Sequence, residues 1–135
     1  MMALSADRNT VSREGVEFQF PVAASGRIYA GGMVALDTDG NAVPASADAT
    51  LTVVGRAESS ADNSSGNAGD MAVTVRRGCF HYGNSAGADE ITRADIGSTA
   101  YVVDDETVAK TDDTASRPAA GIIMDVDDSG VWVRI

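Results

Sequence analysis

The residues most able to do chemistry in this 135-residue chain are few and thinly spread. Asp125-Val126-Asp127-Asp128-Ser129-Gly130 opens like an EF-hand calcium loop, with oxygen donors at the first, third and fifth places and a glycine at the sixth, because a hard cation needs several oxygens gathered by a sharp turn. The pattern then fails. The bidentate Glu expected at the twelfth place would fall beyond Ile135, and strand-like runs rather than helices flank the loop, so a solvated acidic turn is expected. Asp37-Thr38-Asp39-Gly40 brings its glycine too early for the same purpose. Cys79 and His81 are single copies two apart in a strand-like run, which aims both at one face. They could form a nucleophile and its base, but they fall short of the ligand set zinc requires. Cys79 is expected to be a small packed residue and His81 a surface or interface residue.

With 20 acidic residues in the chain, some carboxylate pair will stand at glycosidase spacing by chance, so Asp104, Asp105 and Glu106 read as turn residues. No phosphate-binding loop is present, and Gly83 to Gly87 is a polar turn. Asn63-Ser64-Ser65 fits a glycosylation sequon that has no meaning without a secretory signal. An enzyme needs convergent groups of differing character, and this chain offers carboxylates, hydroxyls and glycines. The reading is therefore non-enzymatic, with no cofactor and no metal.

The elements that must position these residues are short strands. Val131, Val133 and Ile135 alternate with Trp132 and Arg134, and Ile122 to Val126 precedes them across an Asp/Ser/Gly turn, so the chain ends in a hairpin. Val16, Phe18 and Phe20 share one face of an opening strand, with Pro21 placing its end at an edge or bend. Further strands are expected at 27–30 and 33–37 around Gly31-Gly32, at 41–44 after Asp39-Gly40, and at 51–57. Residues 58–70 form a long Ser/Asn/Gly loop of the kind that binds something or stays mobile, and 71–80 returns to strand. A hairpin around Asp105-Glu106 joins 99–104 to 107–110. One helical turn is expected at Thr92 to Gly97, with Thr92 as N-cap, Asp95 completing a capping box and Gly97 as terminator. The strings around Val54-Gly55-Arg56-Ala57 with Val73-Thr74-Val75 resemble those around Ala120-Gly121-Ile122-Ile123 with Val131-Trp132-Val133, over too short a length to establish a duplication.

The fold class expected is all-β, a compact antiparallel β-barrel or sandwich, with residues 1–15 as an extended N-terminal arm and 16–135 as a single domain. The arm is polar and aperiodic, with Arg8 and Arg13 its positive charges. A net charge of −10 argues against nucleic acid, whose phosphates are held by clustered Lys and Arg. No run is long and apolar enough to span a bilayer, and residues 1–10 lack the marks of a secretory signal. A soluble protein made in the cytoplasm is expected. With one cysteine, no intrachain disulfide can form, and stability must come from packing or association.

Several strings, in order, resemble a known family: Ala6-Asp7-Arg8-Asn9-Thr10 in the arm, Arg27-Ile28-Tyr29-Ala30-Gly31, Val34-Ala35-Leu36 with Ala42-Val43-Pro44, Gly55-Arg56-Ala57-Glu58, Val75-Arg76-Arg77-Gly78, Ile96 to Asp105 and Thr107 to Thr111. The chain is similar over almost its whole length to the capsid cement, or head decoration, proteins of tailed bacteriophages and Mu-like prophages. The resemblance implies a β-rich protein, without enzymatic activity, that binds the outer surface of an expanded head in the virion. Its partners would be the major capsid protein and copies of itself, as a trimer in preference to a dimer, with Asp7, Arg8, Asn9, Thr10 and Arg13 of the arm contacting the capsid. Two other classes compete: a carbohydrate-binding or adhesion domain, which would expose aromatic side chains, and a hydrolase, which would need His81 in a cleft beside a nucleophile.

Overall fold

The computed structural model describes residues 2–135. Strands take 41% of the chain and helix 4%, so the protein is all-β. The strands are β1 (Glu17–Pro21), β2 (Arg27–Ile28), β3 (Met33–Leu36), β4 (Ala42–Pro44), β5 (Thr52–Ala57), β6 (Ala61–Asp62), β7 (Ala72–Arg76), β8 (Cys79–Asn84), β9 (Thr99–Val102), β10 (Thr107–Ala109), β11 (Ala119–Asp127) and β12 (Gly130–Arg134). Their period of two sorts side chains as the sequence implied. Phe18 and Phe20 are half-buried while Glu17 and Gln19 are exposed, and Val131 and Val133 are buried while Trp132 and Arg134 are exposed. The β3–β4 hairpin closes on Gly40 at φ +81°, a backbone region that glycine enters without steric cost, and Asp37 Oδ1 accepts the N–H groups of Asp39 and Asn41.

The strands form two five-stranded units of one topology. The first is ordered β1-β7-β5-β3-β4, and the second runs β8-β12-β11-β9-β10 and closes as a barrel through a parallel β10–β8 pair. Register repeats with the order. Gly55 stands opposite Val34 beside a bulge, as Gly121 stands opposite Ala100 beside a bulge. Arg56↔Arg76 and Ala57↔Val75 recur as Ile122↔Arg134 and Ile123↔Val133, and Phe18↔Val75 recurs as Phe80↔Val133. The parallel bridge Val22↔Ala42, which closes the first unit, recurs as Asn84↔Val108 in the second. Loop hydrogen bonds follow: Gly31 N–H to the Ala57 carbonyl at 2.9 Å matches Gly97 N–H to the Ile123 carbonyl at 2.8 Å. The duplication that the sequence strings were too short to establish is thus present in the backbone.

Each unit has its own interior. Val34, Ala42, Val54, Val73 and Val75 fill the first; Phe80, Tyr82, Val102, Val108, Val131 and Val133 fill the second. Each valine or phenylalanine among them contributes roughly 1.5–3 kcal/mol when fully buried. Met33 and Ala35 flank Val34 on the opposite face of β3, and with Ala45 they join the second cluster. That outer face of the first barrel packs on the second, and the Met33 N–H donates to the Asp105 carbonyl at 2.8 Å across the junction.

Four expectations need correction. The run 71–80 is two strands in different units, broken at Arg77-Gly78, because Arg77 leaves the first sheet where its N–H meets the Val16 carbonyl. Arg27–Ile28 pairs with Ala61–Asp62 and not with the neighbouring 33–37 run. There are two 3-10 turns, Gly87–Asp89 and Arg93–Asp95, where one was expected; the second carries the expected Thr92–Asp95 capping box. The 58–70 loop is an ordered lobe. Its Asn63 is buried, and the side-chain amide donates to the carbonyls of Ala23 at 3.0 Å and Asn67 at 2.9 Å, which ties the lobe to the end of β1.

Candidate functional site

The β11–β12 turn assembles the densest polar cluster in the second unit. Asp127 ends β11, and its Oδ1 accepts the backbone N–H groups of Ser129 and Gly130, each at 2.9 Å, and the Ser129 hydroxyl at 2.8 Å. His81 on β8 pairs in register with Trp132 on β12, which brings His81 Nε2 to 3.1 Å from the same Oδ1. Trp132 Nε1 donates to Asp127 Oδ2 at 3.2 Å, and the His81 and Trp132 rings lie 5.0 Å apart. The Ser129 hydroxyl and His81 beside it hold the Asp127 carboxyl well below the usual carboxylate range.

This trio has the residue types of a nucleophilic relay but not its order. In a working relay the carboxylate orients one ring nitrogen while the hydroxyl gives its proton to the other. Here Asp127 and Ser129 both face Nε2, with Ser129 Oγ 3.5 Å from it, and the Ser129 hydroxyl donates to the carboxylate. The arrangement can fix a turn and present an aromatic pair beside a carboxylate. The acidic string expected to turn in solvent does turn there, with Asp127 spent on backbone donors. Among the described residues no three His, Cys, Asp or Glu side chains converge as metal ligands would.

No family model, no curated protein and no solved structure matches the chain. The geometry of its own surfaces therefore carries the functional argument.

The other candidate surface is the arm. Residues 2–14 are exposed and lie outside any strand or helix, so Asp7, Arg8, Asn9, Thr10 and Arg13 are all accessible. Among the described residues Arg8 bonds locally, through the Thr10 hydroxyl at 3.4 Å and its own carbonyl to the Thr10 N–H at 3.1 Å. Arg13 turns back, and its guanidinium sits 4.5 Å over the Phe18 ring. Apolar Met2, Leu4 and Val11 are exposed along the same segment. The five arm residues are thus not gathered into one site; they are strung along a segment that leads into β1.

Cys79 does not pack as expected. It is exposed, sharing the outer face of β8 with His81, because the interior of that strand is taken by Phe80 and Tyr82. Asp105, read as a turn residue, also serves the junction between units through its carbonyl. Tyr82 lies there with its hydroxyl buried and unpartnered, and burial pushes its pKa up to about 12. Sequence reasoning set Asn63 aside as a sequon and missed its buried role. The Gly66 that follows three residues later was the available signal, since a side chain there would collide with the Asn63 amide.

Proposed function

We propose that this chain is a capsid decoration protein that binds the outer surface of an expanded tailed-phage head. On this reading it bridges major capsid subunits as a homotrimer in the virion, with no catalytic step. The observation that carries the reading is the exposed arm of residues 2–14 leading into a five-stranded sheet that packs on a closed five-stranded barrel. Such an arm can add main-chain hydrogen bonds and apolar anchors to a neighbour's edge, as extended segments do when they augment a sheet. Arm and barrel together give several modest contacts whose simultaneous release is rare. The acidic surface, at net charge −10, favours solubility and disfavours adhesion to nucleic acid. The order of the short strings that resemble head decoration proteins, Arg27 to Gly31 and Ile96 to Asp105 among them, supports the same reading.

The test is to incubate undecorated expanded heads with the full chain and with a chain lacking residues 2–14, then image both. Regular protrusions with the full chain and sparse ones with the truncated chain are expected. Equal occupancy would remove the arm from the account, and a bare shell with both would end it.

A second reading, a carbohydrate-binding or adhesion domain, is favoured by one observation. Trp132 is 38% exposed and packed against His81 beside the Asp127 carboxylate, and sugars stack on aromatic faces held in this way. Titration of the protein with a panel of glycans, followed by Trp132 fluorescence, tests it; a saturable change absent from Trp132→Ala would support this reading over the first.

A further inference from the structure

In the second barrel the apolar seam beside β8 is covered; in the first, the matching seam is not. Phe80, Tyr82 and Val102 are buried. Their register equivalents Phe18, Phe20 and Leu36 are only half-buried. The cover over the second seam comes from the first barrel: Met33 enters the second cluster, and the Arg56 guanidinium lies 4.3 Å over the Phe80 ring. Among the described residues the first seam has Arg13 of the arm over Phe18, and no second-barrel side chain joins the first cluster as Met33 joins the second.

The covering face has its own repeat. Register places Thr99 where the first barrel has Met33 and Ile122 where it has Arg56. In the second barrel this face presents apolar side chains beside Thr99, Arg134 and the Arg93–Asp125 ion pair. Ile122 is half-buried, Met124 two residues on is 42% exposed, and Ile96, next to the Gly97–Ile123 hydrogen bond, is 41% exposed. One molecule therefore carries both halves of an interface whose internal copy is already formed: an open seam on the first barrel and an unused covering face on the second.

We infer that a second copy of this chain docks head to tail, its Ile96, Ile122 and Met124 face covering the Phe18 and Phe20 seam of the first. Ile122 takes the place over Phe18 that Arg56 takes over Phe80, and it displaces Arg13. Apolar side chains meet apolar side chains at the new contact, where burial drives association. Because the two faces differ, the contact is heterologous and repeats from copy to copy, which gives a closed ring when the rotation closes and an open chain when it does not. The inference deepens the self-association in the proposed function and stands on the internal repeat, not on head binding.

Sedimentation velocity of the free full-length chain at micromolar concentration tests it, since no heads are present and failure here is separate from failure to decorate. The wild type should sediment as an oligomer. Met124→Glu and Ile122→Glu on the covering face should each weaken association at least about tenfold, the equivalent of about 1.4 kcal/mol. Phe18→Ala should do the same from the other side, with circular dichroism confirming that it folds. The decisive sample is a mixture of Ile122→Glu with Phe18→Ala: each lacks a different face, so one intact interface remains and the mixture should run as a dimer while each alone runs as a monomer. A monomeric wild type, or an oligomer unchanged by Met124→Glu and Ile122→Glu, would overturn the proposal. A mixture that stays monomeric would overturn its head-to-tail geometry; if Phe18→Ala does not fold, the two covering-face variants decide the matter.

Discussion

The two barrels share a strand order but finish it differently. The first closes through the single Val22↔Ala42 bridge and links β5 to β7 by the lobe of residues 58–71, which Asn63 holds from within. The second closes through the β8–β10 pair and links β11 to β12 by the tight Asp128-Ser129 turn, which Asp127 holds from outside. Side chains diverge almost everywhere, yet a few positions keep their residue. Gly55 and Gly121 are the clearest, because a Cβ at either would overlap the carbonyl oxygen of Arg76 or Arg134 and the adjacent Val75 or Val133. Gly31 and Gly97 both take positive φ, +86° and +93°. The shared topology rests on a handful of close backbone approaches, while the apolar side chains of the two interiors differ.

The largest effects are expected at the paired glycines. Gly55→Ala and Gly121→Ala should each lower unfolding free energy by about 3 kcal/mol, the upper end for overpacking a close contact, measured by urea denaturation. Gly55→Ala should be the worse, since Gly55 also has φ +150°. A loss below about 1 kcal/mol at both would show that the repeated close approach is not what constrains the fold.

Next in size is Asn63, the device only the first barrel uses. Asn63→Ala removes the two side-chain bonds that hold the lobe, to carbonyls that keep the backbone N–H groups of Gly26 and Asp70, and should cost about 2 kcal/mol. Limited proteolysis should then cut the variant within residues 58–70 and leave the wild type intact there.

The seam can be sharpened with a gain. Tyr82 has a buried hydroxyl without a partner where the first barrel has Phe20. Tyr82→Phe removes an unpaired polar group and should raise stability by about 1 kcal/mol, read as a higher urea midpoint. A fall would mean that the hydroxyl has a partner in solution.

The smallest effect concerns the outer turn. Asp127 is held below the ordinary aspartate range in the folded chain, so the stability it contributes is full above the unfolded value and lost as pH falls through the lower folded value. The difference in melting temperature between wild type and Asp127→Asn should be largest near neutral pH and shrink as pH drops below the ordinary carboxylate range. A difference constant down to pH 2 would assign the effect to shape and not to charge.

Much of this was legible in the chain. Strand positions followed from period-two alternation in 17–20 and 131–134, and Gly40, Gly97 and the Thr92–Asp95 box marked their turns, because each of these signals is local. The break at Arg77-Gly78 was not legible, since two strands that abut in sequence but part in space look like one apolar run. Asn63 was hidden because its partners, Ala23 and Asn67, are carbonyls that carry no residue signature. The duplication showed only in traces, Gly55 with Gly121 and Val75-Arg76 with Val133-Arg134, because register survives when side chains do not. The His81, Asp127 and Ser129 cluster was visible as residue types, but its order around Nε2 depends on the β8–β12 register.

The most direct test of the decoration reading is mechanical. Expanded heads are heated with and without saturating protein, and the rupture temperature is followed by release of their contents. A clear rise that grows with occupancy and is lost with the chain lacking residues 2–14 is expected, because a ligand of the mature shell stabilises it in proportion to binding. An unchanged rupture temperature on heads shown by imaging to be fully decorated would contradict it.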